Sequence, residues 1–222
     1  MDIAALIQTL SVYALPVVFA ITLHEAAHAY VANKLGDPTA AMLGRVTLNP
    51  WPHIDVVGTV IMPLMLYFFT QGKFIFGYAK PVPVDWRNLG QPKRDMAWVA
   101  LAGPASNWVQ ALVWALVANA LILLGINEPF WLKACEAGLQ VNLVMFAFNL
   151  FPLPPLDGGR ILVGLLPWRA AVAVSRIEPY GFYVVLALVM LDVVSEWWLK
   201  PLISLTLQSL EWVLWPLIGS FH

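Results

Sequence analysis

Apolar stretches of bilayer-crossing length recur from one end of this 222-residue chain to the other, and nothing else constrains its fold as strongly. A crossing helix needs about 17–25 mainly apolar residues. Five segments qualify, at about 3–33, 96–124, 134–151, 178–198 and 202–219. A sixth, 56–70 ("VVGTVIMPLMLYFFT"), is short and has Pro63 near its middle, so it is marginal for a crossing. Charged residues make up only 11% of the chain, against about 25% in an ordinary soluble domain. The expectation is an all-α polytopic membrane protein of five to six transmembrane helices, forming a single domain over 1–222. No repeat or low-complexity linker divides it. The net charge of −1 offers no reason to expect nucleic acid as a partner.

The N-terminal apolar run lacks a basic leader and a small-residue cleavage site, so it reads as a retained helix rather than a signal peptide. Cys135, the single cysteine, cannot form an intrachain disulfide and reads as a small apolar filler. Several of the eleven tryptophans sit near the ends of apolar runs, as in an interfacial aromatic belt.

Two stretches have a different texture. Residues 42–55 ("MLGRVTLNPWPHID") and 74–86 ("FIFGYAKPVPVDW") alternate β-branched and aromatic residues with Gly and Pro, which reads as short strands. An open strand edge cannot face lipid, because its backbone groups would go unsatisfied. A small membrane-associated sheet or hairpin is therefore expected, with its edge lining a wet cavity or awaiting another strand.

Inside the first apolar run stands "TLHEAAHAY". On a helix, His24 and His28 lie one above the other on the same face, about 6 Å apart at the backbone. Two imidazoles so placed can share one Zn²⁺. Glu25 points roughly 100° away from the first of them, beside the metal, where it can take a proton from a water that the metal acidifies. Ionisable groups at membrane depth are costly unless they have work to do. The bare reading, a chance motif in a packed helix, is weak against that cost.

A catalytic zinc takes a third protein ligand and keeps one position open. His53, Asp55, Asp157 and Asp192 are candidates, and Asp157 has the best context, "FNLFPLPPLDGGRIL" (148–162). Pro152, Pro154 and Pro155 prevent a helix from continuing. Gly158 and Gly159 then allow a tight turn directly after the carboxylate. The alternative is an ordinary helix-to-loop junction in which Asp157 caps the next helix.

If Asp157 meets His24 and His28, the helices that deliver them run parallel, so one crossing separates them and 56–70 does not cross. The basic residues then divide ten to two: Lys34, Arg45, Lys73, Lys80, Arg87, Lys93, Arg94, Arg160, Arg169 and Arg176 against Lys133 and Lys200. A crossing 56–70 would make it eight to four. The positive-inside rule favours the first split, with the N-terminus outside and the site near the cytoplasmic face.

HEAAH followed by "NLFPLPPLDGG" resembles the site-2 protease family of intramembrane zinc metalloproteases. "GRVTLNPWPHID", "GYAKPVPVDWRN" and "LAGPASN" are similar to stretches of its short prokaryotic members, which lack PDZ and CBS domains. The likeness covers about 15–165. It implies His24, His28 and Asp157 as zinc ligands, Glu25 as the base and Asn149 as a donor to the oxyanion. It also implies a transmembrane protein as substrate, held as an extended strand, and a place in the prokaryotic cell membrane. Asn107 in "LAGPASN" reads as helix packing or support of the site, with Gly103 permitting close helix approach. His53 reads as a hydrogen bond to a turn carbonyl rather than a ligand.

Three other functions fit the sequence less well. A metal transporter would spread its ligands over several helices, a di-iron oxygenase needs more than the four histidines present, and a pseudoenzyme would lack part of the set.

Overall fold

The structure is a computed structural model that describes residues 3–69, 77 and 79–218. Its helices are α1 (Ile3–Lys34), α2 (Thr39–Met42), α3 (Met62–Phe69), α4 (Pro92–Leu123), α5 (Pro129–Asn149), α6 (Asp157–Leu165), α7 (Trp168–Ser175), α8 (Glu178–Met190) and α9 (Lys200–Ile218). Short 3₁₀ turns occupy Trp51–His53 and Trp86–Asn88, and π-helical turns precede α3 and α9 at Val56–Ile61 and Ser195–Leu199.

Among the described residues, two helices are long and apolar enough to cross a membrane, α1 over Ile7–Lys34 and α4 over Pro92–Leu123, and a third span results if α7 and α8, bent by 67°, count as one. Only 28% and 22% of the two apolar windows are buried, so most of their apolar surface points outward, as lipid requires. The remaining expected spans are less plain for a physical reason. α5 has 21 residues, enough for about 30 Å, and beside the exposed Glu136 and Gln140 it carries Asn142, which is fully buried against the bundle. Composition averaged around the helix counts such residues as if lipid saw them. The 178–198 segment is broken after α8, where Asp192 takes φ 58°.

α4 is the centre of the bundle and packs against α1, α5 and α6. Its prolines differ in position. Pro92 opens the helix, where its missing N–H costs nothing, while Pro104 lies inside and is completely buried. Ala111, Leu143 and Leu210 bring α4, α5 and α9 together, and Ala32, Leu89 and Val99 bring α1 and α4 against the chain before α4.

The expected strands within 42–55 and 74–86 are not found: there is no strand among the described residues, with residues 74–76 and 78 outside that set. Side chains take the backbone groups a ladder would use. The Val82 N–H donates to Glu25 Oε2 (3.0 Å) and the Asp85 N–H to Asp37 Oδ2 (2.8 Å). Pro81 and Pro83 have no N–H to offer. Among the described residues, one backbone bond joins the two stretches, Lys80 N–H to the His53 carbonyl at 3.0 Å, reinforced by Arg45, whose guanidinium donates to the Lys80 and Pro81 carbonyls.

Asp37, just past α1, ties this cap together. It accepts from Thr39, from Asn88 Nδ2 (2.9 Å) and from the Asp85 N–H. Burial alone would raise its pKa, but these hydrogen bonds outweigh burial and hold the carboxyl below its ordinary value.

Candidate metal centre

His24 and His28 stand on the inward face of α1, both buried. Their Nε2 atoms are 3.1 Å apart. Asp157 Oδ2 lies 3.2 Å from the first and 3.3 Å from the second. These three are a group of side chains able to hold a metal ion.

Asp157 arrives there by a different local structure from the one the sequence suggested. α5 stops at Asn149, and the chain turns through Leu150–Leu156, with a cis bond between Pro154 and Pro155. Asp157, Gly158 and Gly159 then form the first turn of α6 rather than a turn of their own. The glycines serve close approach. A Cβ on Gly158 would lie 2.1 Å from the Leu150 carbonyl oxygen, and one on Gly159 2.1 Å from Pro154 N. The proline corner and the start of α6 can interlock only without side chains at 158 and 159.

The outer nitrogens of both imidazoles fix their tautomers. His28 Nδ1 is 2.7 Å from the Val99 carbonyl, which can only accept, so that nitrogen carries the proton. His24 Nδ1 is 2.6 Å from Asn107 Oδ1, again an acceptor. In the neutral rings both Nε2 atoms then present lone pairs. Asp157 Oδ2 is buried and makes no hydrogen bond of acceptable geometry. With both rings neutral, three electron-rich atoms converge with no proton between them, an arrangement that favours a cation among them.

The spacing fits zinc. Ligands about 2.0–2.1 Å from a tetrahedral ion are separated from one another by about 3.3 Å, and the observed edges are 3.1, 3.2 and 3.3 Å. The donor set, two imidazoles and a carboxylate, is that of a catalytic site with its fourth position open.

The other sequence candidates fall elsewhere. Glu25 is half-buried beside the cluster, its carboxylate held by the Val82 N–H. Asn149 Nδ2 donates to the Met145 carbonyl of its own helix (3.0 Å) and joins no hydrogen bond of the cluster. His53 is fully buried and donates from Nε2 to the Thr47 carbonyl at 3.1 Å. Burial lowers its pKa and favours the neutral ring. Asp55 Oδ1 accepts the Gly58 N–H, and Asp192 lies in the bend after α8.

Gly103 gives the close helix approach expected of it, and the groups it admits are the imidazoles themselves. A Cβ there would meet His28 Nε2 at 2.4 Å and His24 Nε2 at 2.6 Å. Asn142 was missed altogether, although a polar residue two turns before Asn149 on an apolar helix was the available signal. The Val99 carbonyl and the Val82 N–H carry no sequence signal, because every residue has a carbonyl and nearly every one an N–H.

Fold and site together define a membrane-embedded metalloenzyme. Residues 126–191 match the model of "Peptidase family M50". The "Putative zinc metalloprotease YwhC" of Bacillus subtilis (strain 168) is 38% identical over 207 residues, covering 90% of this chain and 82% of the relative. The "Putative zinc metalloprotease Rip2" of Mycolicibacterium smegmatis (strain ATCC 700084 / mc(2)155) is 27% identical over 186 residues, covering 80% and 66%. No solved structure matches. The chain belongs to peptidase family M50, the zinc metalloproteases of site-2 protease type.

Proposed function

We propose that this protein is an intramembrane endopeptidase that hydrolyses a peptide bond within or near a transmembrane segment of another membrane protein. The observation that carries this reading is the convergence of Asp157 with His24 and His28, three side chains able to ligate a metal, on the inward face of a helix apolar enough to span a bilayer. His24, His28 and Asp157 hold the zinc, which when bound supplies a Lewis acid for the scissile carbonyl and for water.

Glu25, turned away from the ligand atoms, accepts the proton of the attacking water and returns it to the leaving amine. The Val82 N–H fixes one carboxylate oxygen and leaves the other free to do so. Asn149 donates to the oxyanion once its amide turns from the Met145 carbonyl.

The substrate lies extended along the described part of the 79–85 segment. Its own N–H groups pair with carbonyls there, since Pro81 and Pro83 can only accept. The single domain of 1–222 crosses the prokaryotic cell membrane five times, with 56–70 re-entrant or interfacial and the site near the cytoplasmic face. This arrangement rests on the ten-to-two division of basic residues.

Glu25→Gln protein, expressed in native membranes, should retain zinc and co-purify with substrate. Wild-type protein in proteoliposomes should then cut that substrate inside its apolar segment. Cuts confined to soluble segments, or turnover by Glu25→Gln near the wild-type rate, would overturn the proposal.

A further inference from the structure

Behind the metal cluster, a line of polar contacts runs across three helices. His24 Nδ1 bonds Asn107 Oδ1 on α4 (2.6 Å), Asn107 Nδ2 donates to Asn142 Oδ1 on α5 (2.8 Å), and Asn142 Nδ2 donates to the Gly138 carbonyl (2.8 Å). Both asparagines are fully buried. Asn107 Nδ2 is also 3.3 Å from the Ala20 carbonyl, which is four residues before His24 and therefore the helical acceptor of its backbone N–H.

The direction of the chain is set at its far end. A carbonyl can only accept, so the Gly138 carbonyl fixes the Asn142 amide with its NH₂ towards α5 and its oxygen towards Asn107. That oxygen in turn holds the Asn107 NH₂, and the Ala20 carbonyl does the same from another side. The Asn107 oxygen is left facing His24, and Nδ1 must carry the proton. Each amide has only one orientation that satisfies its neighbours.

We propose that Asn107 and Asn142 are positioning residues, a two-amide relay that fixes the tautomer and ring angle of His24 from a backbone carbonyl of α5. The inference rests on reading the cluster as the zinc site. His28 needs no such device, because the Val99 carbonyl fixes its ring directly. Asn142 touches neither the metal donors nor the base; it acts only through Asn107. Outer partners that orient a ligating histidine typically contribute 10–100-fold in metal affinity. A pair of asparagines serving helix packing alone would contribute nothing to it.

The test uses the full-length protein in detergent, with zinc affinity from chelator competition and the visible absorption of the cobalt(II)-loaded form. Asn107→Leu should weaken zinc binding about 10–100-fold and alter the cobalt spectrum. Asn107→Asp keeps an oxygen on His24 Nδ1 and should bind clearly more tightly than Asn107→Leu, with a cobalt spectrum close to wild type. Asn142→Leu should show a smaller loss in the same direction. Equal losses in the two Asn107 variants, or wild-type affinity and spectrum in Asn142→Leu, would overturn the relay. Where an Asn107 variant does not fold, Asn142→Leu decides alone. Wild-type protein that binds no zinc, like His24→Ala, would instead defeat the zinc reading itself.

Discussion

Gly103→Ala isolates how tightly the two imidazoles are held. The added methyl would lie 2.4 Å from His28 Nε2 and 2.6 Å from both Nε2 and Cε1 of His24, whereas ordinary contact begins at 3.4 Å. The nearest ring must therefore yield by about 1.0 Å (3.4 − 2.4). It has nowhere to go, because its other nitrogen is bonded at 2.7 Å to the Val99 carbonyl, and the second ring is bonded at 2.6 Å to Asn107. A zinc site tolerates displacement of about 0.2 Å from ideal ligand distances, so a shift of this size cannot be absorbed at the ligands. Overpacking of a filled interior costs about 1–3 kcal/mol. If that strain falls on the metal-bound geometry, zinc affinity drops roughly 5- to 150-fold at about 1.4 kcal/mol per decade. The assay is zinc competition in detergent for wild type and variant, with peptide-bond cleavage in proteoliposomes alongside. Wild-type zinc affinity together with wild-type cleavage in Gly103→Ala would show that the rings are free to move, and the packing argument for the site would fail.

Asp157→Ala should weaken zinc binding by more than the about 10–100-fold typical of outer partners, and unchanged stoichiometry and affinity by metal analysis would point to another third ligand. Asp37→Asn should loosen the cap beside the site, because one or more of its buried donors loses its acceptor at about 1–3 kcal/mol. Since hydrogen bonds hold the Asp37 carboxyl below its ordinary value, its contribution is complete above about pH 3.9 and is lost as pH falls through the lower, folded value. The melting-temperature gap between wild type and Asp37→Asn should close on acidification, and a gap independent of pH would refute the assignment. Gln110, buried on α4 with neither Oε1 nor Nε2 partnered, should be replaceable by Met with a gain of about 1 kcal/mol or more in stability to unfolding. A loss would mean that the amide has a partner such as an ordered water.

The sequence made the cluster legible because its chemistry is concentrated in residue types that lipid penalises. His24, Glu25 and His28 on an apolar helix need a reason, and Asp157 follows three prolines that break one. The helices could be read for the same reason, though the bundle hides polar residues such as Asn142 that make α5 look less apolar than the surface it shows. What could not be read is carried by backbone groups and by relations between distant elements. The strand pattern at 74–86 is a sound local preference for extended chain, yet the Val82 and Asp85 N–H groups are claimed by Glu25 and Asp37, and the prolines supply none. Likewise, nothing local to "AGPASN" says that the space left by Gly103 is filled by two imidazoles from another helix.

The geometry also says what removing the metal should do. α6 packs principally on α4, while the ligand pair belongs to α1, so Asp157 is the point where these two elements meet chemically. With neutral rings and no cation, that meeting place holds two lone pairs and a carboxylate oxygen a little over 3 Å apart, shielded from water, and they repel. Bound zinc would tie α1 to α6 at this point. At a free concentration 100 times its dissociation constant, it should add about 2.7 kcal/mol to stability. Hydrogen exchange of chelator-treated protein should therefore quicken first in the Leu150–Leu156 corner and the first turn of α6, and restore on adding zinc. Exchange that quickens uniformly, or not at all, would mean that the corner is held by its own packing and the metal is a passenger in it.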